Sequence, residues 1–465
     1  QSKGGGAMFN RPVAGVGKGN LAQNPARTIC LSFLLIIGVG TLLLMLPFSA
    51  RDGGFTPLPD ALFTATSATC VTGLVVYDTW SHWSGLGQGI ILALIQIGGL
   101  GLVTMGAFFN VLVGRRMGLR AADLAKESVN SDSFAGVRHL VRTVILGTFL
   151  VELLGTALLA ITFVPRLGLR EGLAASAFTS VSAFCNAGFD LMGREGTPFA
   201  SLTAFAGNWL LTLPVMLLII LGGLGFVVWD DLLRWRRTRT VTLHTSIVLR
   251  LTATLLLLGF FGFLVLEWRN PGTLGPLSLL DKINAALFHS VSCRTAGFNT
   301  IDLTALTHPS KLLSVLLMFL GAAPAGTGGG VKITTVAVVV MTVRSVLRGE
   351  EDTIIGRRKV EKQAVYRALT LVSMGILIVV ASTLAITFAM GDTYSPMDVL
   401  FEETSAFATV GLSVGISSTA GLLSQLVLIV NMFLGRVGLL SLALALAMKS
   451  GGTKEVLPEA RIIIG

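Results

Sequence analysis

The sequence predicts an all-α integral membrane protein with eight transmembrane helices, arranged as four pseudo-symmetric repeats around one axis. Hydrophobic residues make up 52% of the chain, charged residues only 13%, and the mean hydropathy is +0.78. Soluble domains carry about 25% charged residues, so the composition excludes a soluble globular protein. The second observation is a short glycine-centred phrase that recurs four times along the chain. Four copies predict four equivalent pieces that surround a central pore.

Apolar runs of about 20 residues mark transmembrane helices. Eight such runs occur, at 28–50, 86–113, 139–164, 203–230, 245–268, 310–343, 365–390 and 420–448, and the sixth is interrupted. A shorter run separates the members of each pair, at 58–69, 171–184, 281–292 and 397–408. These runs are too short to cross a bilayer and fit re-entrant half-helices, because non-helical backbone at membrane depth must be buried by protein or line a cavity.

Each repeat is therefore a helix, a half-helix, a loop and a second helix. The predicted units are an N-terminal segment (1–27), repeat 1 (28–113), repeat 2 (139–235), repeat 3 with a broken second helix (243–347), repeat 4 (364–449) and a C-terminal tail (450–465). The first seven residues look like a remnant of expression, and no cleavable signal peptide is predicted. A cluster of small residues recurs midway down each second helix, beginning at Gly98, Gly222, Gly321 and Gly435.

Positive charges predict the orientation. Lys and Arg concentrate before the first helix and between the repeats, for example at Arg27, Arg115, Arg236 and Arg358. All these segments fall on one side, which predicts that this side and both termini are cytoplasmic. The net charge of +10 is then explained by the membrane and not by nucleic acid. Acidic residues beside the glycine phrases would face outward and either gather cations or form a solvated rim: Asp78, Asp190, Asp302, Glu402 and Glu403.

The loops after the half-helices are suited to a dehydrated cation. Glycine permits the backbone angles and close approach that a ring of inward-facing carbonyls requires. The predicted potassium filter consists of Val71, Thr72 and Gly73, Asn186, Ala187 and Gly188, Thr295, Ala296 and Gly297, and Thr409, Val410 and Gly411, acting through their backbone carbonyls. None of these residues is acidic, which favours a large monovalent ion over calcium or magnesium. Four cysteines, at 30, 70, 185 and 293, lack metal-ligand spacing and are interpreted as packing residues.

The interrupted sixth helix contains a proline and clustered glycines at 321–332, which cannot remain a regular helix. It lacks the Gly-Lys-Ser/Thr sequence of a phosphate-binding loop. A broken helix at mid-membrane indicates a cavity lining, with a packing kink as the alternative. Arg436 lies deep in the last apolar run, where an isolated charge costs at least about 2.5 kcal/mol. The loop carbonyls around 326–330 are its expected partners, and Glu152 is the alternative.

The four-repeat plan resembles the Trk/Ktr/HKT superfamily of potassium transporters over residues 28–465, and the phrases at 182–189, 294–300 and 409–413 are specific to it. The absence of helices before residue 28 points to the KtrB pore-forming subunits of the Ktr branch. The resemblance implies potassium uptake through a channel-like pore, with all four filter glycines present. The third loop departs from the pattern, because its serine-to-glycine spacing is one residue shorter and Arg294 stands where Cys70 and Cys185 stand.

The resemblance also implies a gate formed by the broken helix together with Arg436. The gate residues are Gly326, Thr327, Gly328, Gly329, Gly330, Lys332 and Arg436. It further implies a homodimer in a bacterial inner membrane, regulated by a separate KtrA-like cytosolic nucleotide-binding ring. Sodium is a further ion that the resemblance allows, and no organic cofactor is expected.

The sequence bears on three alternatives. A sodium-selective relative would carry serine in place of the first filter glycine, and Gly73 argues against it. An alternating-access transporter with inverted repeats would show halves of opposite topology, whereas these four units run the same way. An enzyme would need a catalytic constellation on neighbouring helices, and the sequence shows none.

Overall fold

The structure is a computed structural model, and of the 465 residues it describes 25–101, 134–195, 197–356, 358–439 and 441. Most of the predicted N-terminal segment, the end of repeat 1, the end of repeat 4 and the C-terminal tail lie outside the described residues. The predicted boundaries of these units therefore stay predictions.

The described part of the chain is mostly helical with almost no sheet, and its helices follow the predicted order. Repeat 1 contains α1 (Pro25–Met45), α2 (Leu58–Cys70), α3 (Thr79–His82) and α4 (Gly85–Leu100). Repeat 2 contains α5 (Phe134–Leu167), α6 (Leu169–Phe184), α7 (Trp209–Gly223) and α8 (Phe226–Thr238). Repeat 3 contains α9 (Leu243–Glu267), α10 (Leu279–Ser292), α11 (His308–Phe319) and α12 (Ile333–Leu347). Repeat 4 contains α13 (Lys362–Met390), α14 (Pro396–Phe407), α15 (Ile416–Thr419) and α16 (Leu422–Val437). A two-stranded hairpin of β1 (Ile354–Ile355) and β2 (Arg358–Lys359) joins repeats 3 and 4.

The first helix of each repeat lies at the periphery. Among the described residues, α1, α5, α9 and α13 are the four helices long and apolar enough to cross a membrane, and the bent pair α7–α8 would be a fifth span. Only 33, 33, 22 and 17% of the residues in their most apolar stretches are buried. Side chains such as Leu153 and Phe388 remain exposed, which fits a surface in contact with lipid. The eight-span count stays a prediction.

The predicted half-helices are α2, α6, α10 and α14, and they form the interior. Each carries an acidic residue in its first turn: Asp60, Glu171, Asp281 and Asp398. A carboxylate at this end complements the positive end of the helix dipole, while the negative end points toward the loop that follows. The last turns are buried in all four, so the loops after them begin inside the protein.

A glycine ends or bends the second helix in the described part of three repeats. Gly101 ends α4, Gly225 separates α7 from α8, and Gly438 ends α16, with φ of 80°, 87° and 89°. The chain turns by 96° between α7 and α8. The prediction of one continuous helix over 203–230 is therefore wrong, since residues other than glycine rarely adopt such φ values and the glycine here makes the bend.

Candidate functional site: the central loops

Four loops meet at the centre of the molecule, at 71–73, 186–188, 295–297 and 409–411, and these axial loops contain every residue of the predicted filter. In each loop the first residue has a positive φ, the second has a negative φ, and the third is a glycine with a positive φ. The first left-handed residues are Val71, Asn186, Thr295 and Thr409, with φ between 50° and 62°. This alternation in the sign of φ departs from a β-strand, in which every residue has negative φ.

This backbone is costly for the residues that adopt it. Val71, Thr295 and Thr409 are β-branched, and a β-branched residue with positive φ is a genuine outlier. Such strain costs about 1–3 kcal/mol per residue and is concentrated at functional sites. The same left-handed position in four repeats, with a β-branched residue in three of them, indicates that the backbone conformation of the loops matters for function.

The four glycines form a closed ring. A Cβ placed on Gly73 would lie less than 3.0 Å from Ala187 O in the second loop. A Cβ on Gly188, Gly297 or Gly411 would likewise lie less than 3.0 Å from Ala296 O, Val410 O or Thr72 O, respectively, which closes the ring. The repeats therefore follow one another around the axis in chain order. There is no space for a side chain at any of the four positions.

The third loop aligns with the others from Thr295 onward. Thr295 has the left-handed φ of Val71, Asn186 and Thr409, so the missing residue precedes Thr295. Arg294 is only 7% exposed, and its backbone carbonyl accepts a hydrogen bond from Asn186 Nδ2 at 3.3 Å. This bond joins the second and third loops.

Glycines of the second helices allow the half-helices to approach closely. A Cβ on Gly98, Gly222 or Gly435 would overlap the carbonyl of Thr69, Phe184 or Phe407, respectively. Gly321, the corresponding glycine of repeat 3, faces Gly329 O instead. Repeat 3 differs because its second helix opens into the intramembrane loop, residues 320–332, between α11 and α12.

The intramembrane loop lies directly beneath the axial loops. Gly328 and Gly329 are buried, and a Cβ on either would collide with the hydroxyl of Thr295 or Thr409. The loop is tied to repeat 2, because Thr327 N donates to Gly222 O at 3.2 Å and its hydroxyl donates to Phe184 O at 3.2 Å.

Two cationic side chains hold this loop. Lys332 Nζ donates to Gly328 O at 2.6 Å. Arg436 donates to Thr327 O, to Gly98 O and, at 3.1 Å, to Gly99 O. Arg436 therefore has the predicted loop carbonyl as a partner and also reaches repeat 1. Glu152 is not its partner, since Glu152 accepts a hydrogen bond from Gln96 Nε2 at 3.0 Å.

A cavity of about 230 Å³ opens on the other side of the axial loops, and all four ring glycines line it. Asp78, Asp190 and Asp302 also line this vestibule, and their position on the outer side of the membrane stays a prediction. Glu402 and Glu403 do not, because both are buried on α14 at 1% and 0% exposure. Their predicted place at the outer mouth is wrong: they lie on the half-helix and not on the loop after it.

Comparison with known proteins identifies the family. A family model described as "TrkH: Cation transport protein" matches residues 22–455. The chain belongs to the TrkH cation transport family. The Ktr system potassium uptake protein B of Bacillus subtilis is 37% identical over 443 residues, covering 95% of this chain and 97% of that protein. The potassium/sodium uptake protein NtpJ of Enterococcus hirae is 36% identical over 446 residues, covering 95% and 97%.

A solved structure supports the fold. The crystal structure of the potassium transporter TrkH from Vibrio parahaemolyticus matches with a TM-score of 0.67 at 17% identity, covering 94% of this chain and 87% of that one. The predicted resemblance to the Trk and Ktr proteins is thus confirmed. These relatives of the TrkH family are ion transporters, which confirms the prediction that the chain is not an enzyme.

Two sets of polar residues that hydrogen-bond to the axial loops of this TrkH-family protein, or to the chain just beyond them, were not predicted from the sequence. Ser67 and Ser405 each accept the N–H of the ring glycine six residues later, at 3.0 Å. Glu402 accepts hydrogen bonds from Ser413 Oγ, Val414 N and Ser417 N, and thereby fixes the chain beyond Gly411. The recurring serine before each glycine phrase was a visible signal for the first set. The bonds of Glu402 were not predictable, because they depend on the path of the chain after the loop.

The serines provide a matched test. Ser405→Ala leaves the N–H of Gly411 buried without that acceptor, and this costs about 1–3 kcal/mol. Ser182 stands at the same place in repeat 2, yet its hydroxyl has no hydrogen-bond partner in the described part of the chain. In thermal unfolding of the purified protein, we expect Ser405→Ala to lower the unfolding temperature clearly and Ser182→Ala to change it little. Equal losses would contradict the role of this hydrogen bond.

Proposed function

We propose that this chain takes up potassium across a bacterial inner membrane through a channel-like pore, with the four axial loops as the selectivity filter. The observation that carries the proposal is the closed ring of left-handed glycines, in which a carbonyl of each loop lies against the glycine of a neighbouring loop. Such carbonyls can replace the water shell of a large monovalent cation. The names of the relatives, a potassium uptake protein in Bacillus subtilis and a potassium/sodium uptake protein in Enterococcus hirae, both include this ion.

The intramembrane loop is the gate in this proposal. It lies on the axis beneath the filter, and its carbonyls accept hydrogen bonds from Lys332 at the end of the loop itself and from Arg436 on α16. Release of these bonds would free the loop to leave the ion path. The proposal retains both partners that the resemblance implies, a second copy of the chain and a KtrA-like cytosolic nucleotide-binding ring, and it retains cytoplasmic termini.

The direct test is ion uptake by proteoliposomes that contain the purified protein. We expect potassium to enter at least about ten times faster than sodium, which corresponds to about 1.4 kcal/mol of discrimination. A second candidate function is combined sodium and potassium uptake, which the printed name of the Enterococcus hirae relative favours. Equal potassium and sodium rates would support that second function, and no uptake of either ion would refute both.

The outer vestibule predicts a dependence on external pH. Burial raises the pKa of Asp190 to about 6, the N–H of Met192 opposes the shift, and the negative charge of Asp78 adds to it. Asp190 therefore carries a negative charge at pH 7.5 and loses it as the external pH falls through about 6. We expect the KM for potassium to rise about twofold between pH 7.5 and 5, because the local cation concentration falls.

Two variants check this explanation by uptake measurements at both pH values. Asp190→Asn should have a raised KM at pH 7.5 and little further change at pH 5. Asp52→Asn alters an exposed carboxylate outside the vestibule. In this variant the KM for potassium should depend on external pH as it does in the unchanged protein. If the KM of Asp190→Asn still rose about twofold between pH 7.5 and 5, the titrating group would be a residue other than Asp190.

A further inference from the structure

One buried carboxylate breaks the pseudo-symmetry of the repeats. Glu403 is two residues before Ser405 on α14, and its counterparts two residues before Ser67, Ser182 and Ser292 are Ala65, Ser180 and Ser290. Ser180 and Ser290 donate to the backbone carbonyls of Glu152 and Leu256 on the first helices of their repeats, at 2.7 and 2.8 Å. Only repeat 4 therefore carries a charged group at this place.

The carboxylate of Glu403 is incompletely satisfied. Its side chain is 0% exposed, and its Oε2 atom has no hydrogen-bond partner among the described residues. The neighbouring Glu402 differs, because it accepts hydrogen bonds from three residues of 413–417. An ionised carboxylate in a buried site is costly unless an opposite charge or a proton compensates it.

Polar side chains from two other helices lie beside the Glu403 carboxylate. Asn431 Nδ2 on α16 donates to the Glu403 carboxylate and, at 2.8 Å, to Ser382 Oγ on α13. Rotation of the Asn431 amide by a half-turn would place Oδ1 where Nδ2 now lies. The site would then present two carboxylate oxygens, one hydroxyl oxygen and one amide oxygen, all of them hard ligands.

We propose that Glu403, Ser382 and Asn431 bind one sodium ion inside repeat 4, apart from the ion path. A single carboxylate matches a single positive charge, whereas calcium sites use more carboxylate ligands. An ion that enters must displace the hydrogen bonds of Asn431, and sodium, being smaller than potassium, requires less displacement. The bound ion would fix α14 and, through Ser405, the N–H of Gly411. This effect on the filter rests on the proposed function, but the sodium site itself does not.

Thermal unfolding of the full-length purified protein tests the site. The unfolding temperature is measured in increasing sodium chloride, with choline chloride keeping the ionic strength constant and potassium chloride as a parallel series. We expect a saturable rise with sodium, since a ligand that binds only the folded state stabilises it. Glu403→Gln should abolish the rise, and Ser382→Ala should raise the half-maximal sodium concentration about tenfold.

Two controls separate this site from the filter. Ser290→Ala changes the equivalent position in repeat 3 and should keep the sodium response. Gly73→Ser should keep it too, even where potassium selectivity is lost. A sodium response that survives in Glu403→Gln would overturn the proposal, as would a response to choline equal to that to sodium. Higher stability of Glu403→Gln in every salt, with no sodium response in the unchanged protein, would show a protonated carboxyl and also overturn it.

Discussion

Gly73→Ser is expected to reduce the preference for potassium over sodium at least about tenfold, a loss of about 1.4 kcal/mol of discrimination. Gly73 has φ of 94°, and a Cβ there would come into hard contact with Ala187 O in the next repeat. A serine must either push that carbonyl away or move its backbone out of the left-handed region, which costs a residue with a side chain about 1–2 kcal/mol to occupy. Both responses displace the carbonyls that line the axis.

The measurement is the ratio of potassium to sodium uptake in proteoliposomes, together with thermal unfolding to show that the variant is folded. Gly53→Ser is the matched control, because Gly53 also has a positive φ of 73° but a Cβ there would meet nothing within 4 Å. It carries the same kind of backbone strain without crowding the ring. An unchanged uptake ratio in folded Gly73→Ser would refute the assignment of the axial loops as the filter.

The repeat plan could be predicted from the sequence because the repeats share local signals. Each half-helix was located within about two residues, since an apolar run and the glycine phrase define its two ends. The convergence of the four loops followed from their equivalence. The family resemblance rested on the same phrases, and the comparisons confirmed it.

The bends of the second helices could not be predicted in the same way. Gly101, Gly225 and Gly438 lie in apolar runs where close helix packing explains a glycine equally well. Only the backbone angle separates the two roles, and that angle depends on contacts with the half-helix and the intramembrane loop. Ala325 O, for example, accepts the N–H of Phe226 just after the bend at 2.9 Å.

The acidic residues show a second limit. Asp78, Asp190 and Asp302 were placed correctly at the vestibule because they follow the axial loops. Glu402 and Glu403 precede their loop and are buried, although the local sequence around them is equally polar. Charge alone did not distinguish a solvated rim from a buried network, because the partners of these carboxylates come from distant segments such as 413–417 and 431.

Arg436→Ala is expected to raise the basal potassium flux about tenfold or more while the preference for potassium over sodium is unchanged. Arg436 donates to Thr327 O in the intramembrane loop and to the carbonyls of Gly98 and Gly99 in α4. A hydrogen bond from a charged donor contributes about 1.5–3 kcal/mol. Loss of even one such bond shifts the balance between the seated and the displaced loop by a factor of ten or more.

Flux and selectivity must be measured together in proteoliposomes, because their separation distinguishes a gate from a filter. Arg344→Ala serves as the control, since Arg344 is an exposed cation in the last turn of α12. This substitution removes the same charge without changing a contact of the intramembrane loop. Deletion of residues 326–330 should raise the flux as well, by shortening the segment that lies under the axial loops. A variant that is folded and selective but conducts no faster would refute the gate, because the filter would then be the only barrier on the axis. Arg436 would in that case be a structural residue that joins repeat 4 to repeats 1 and 3.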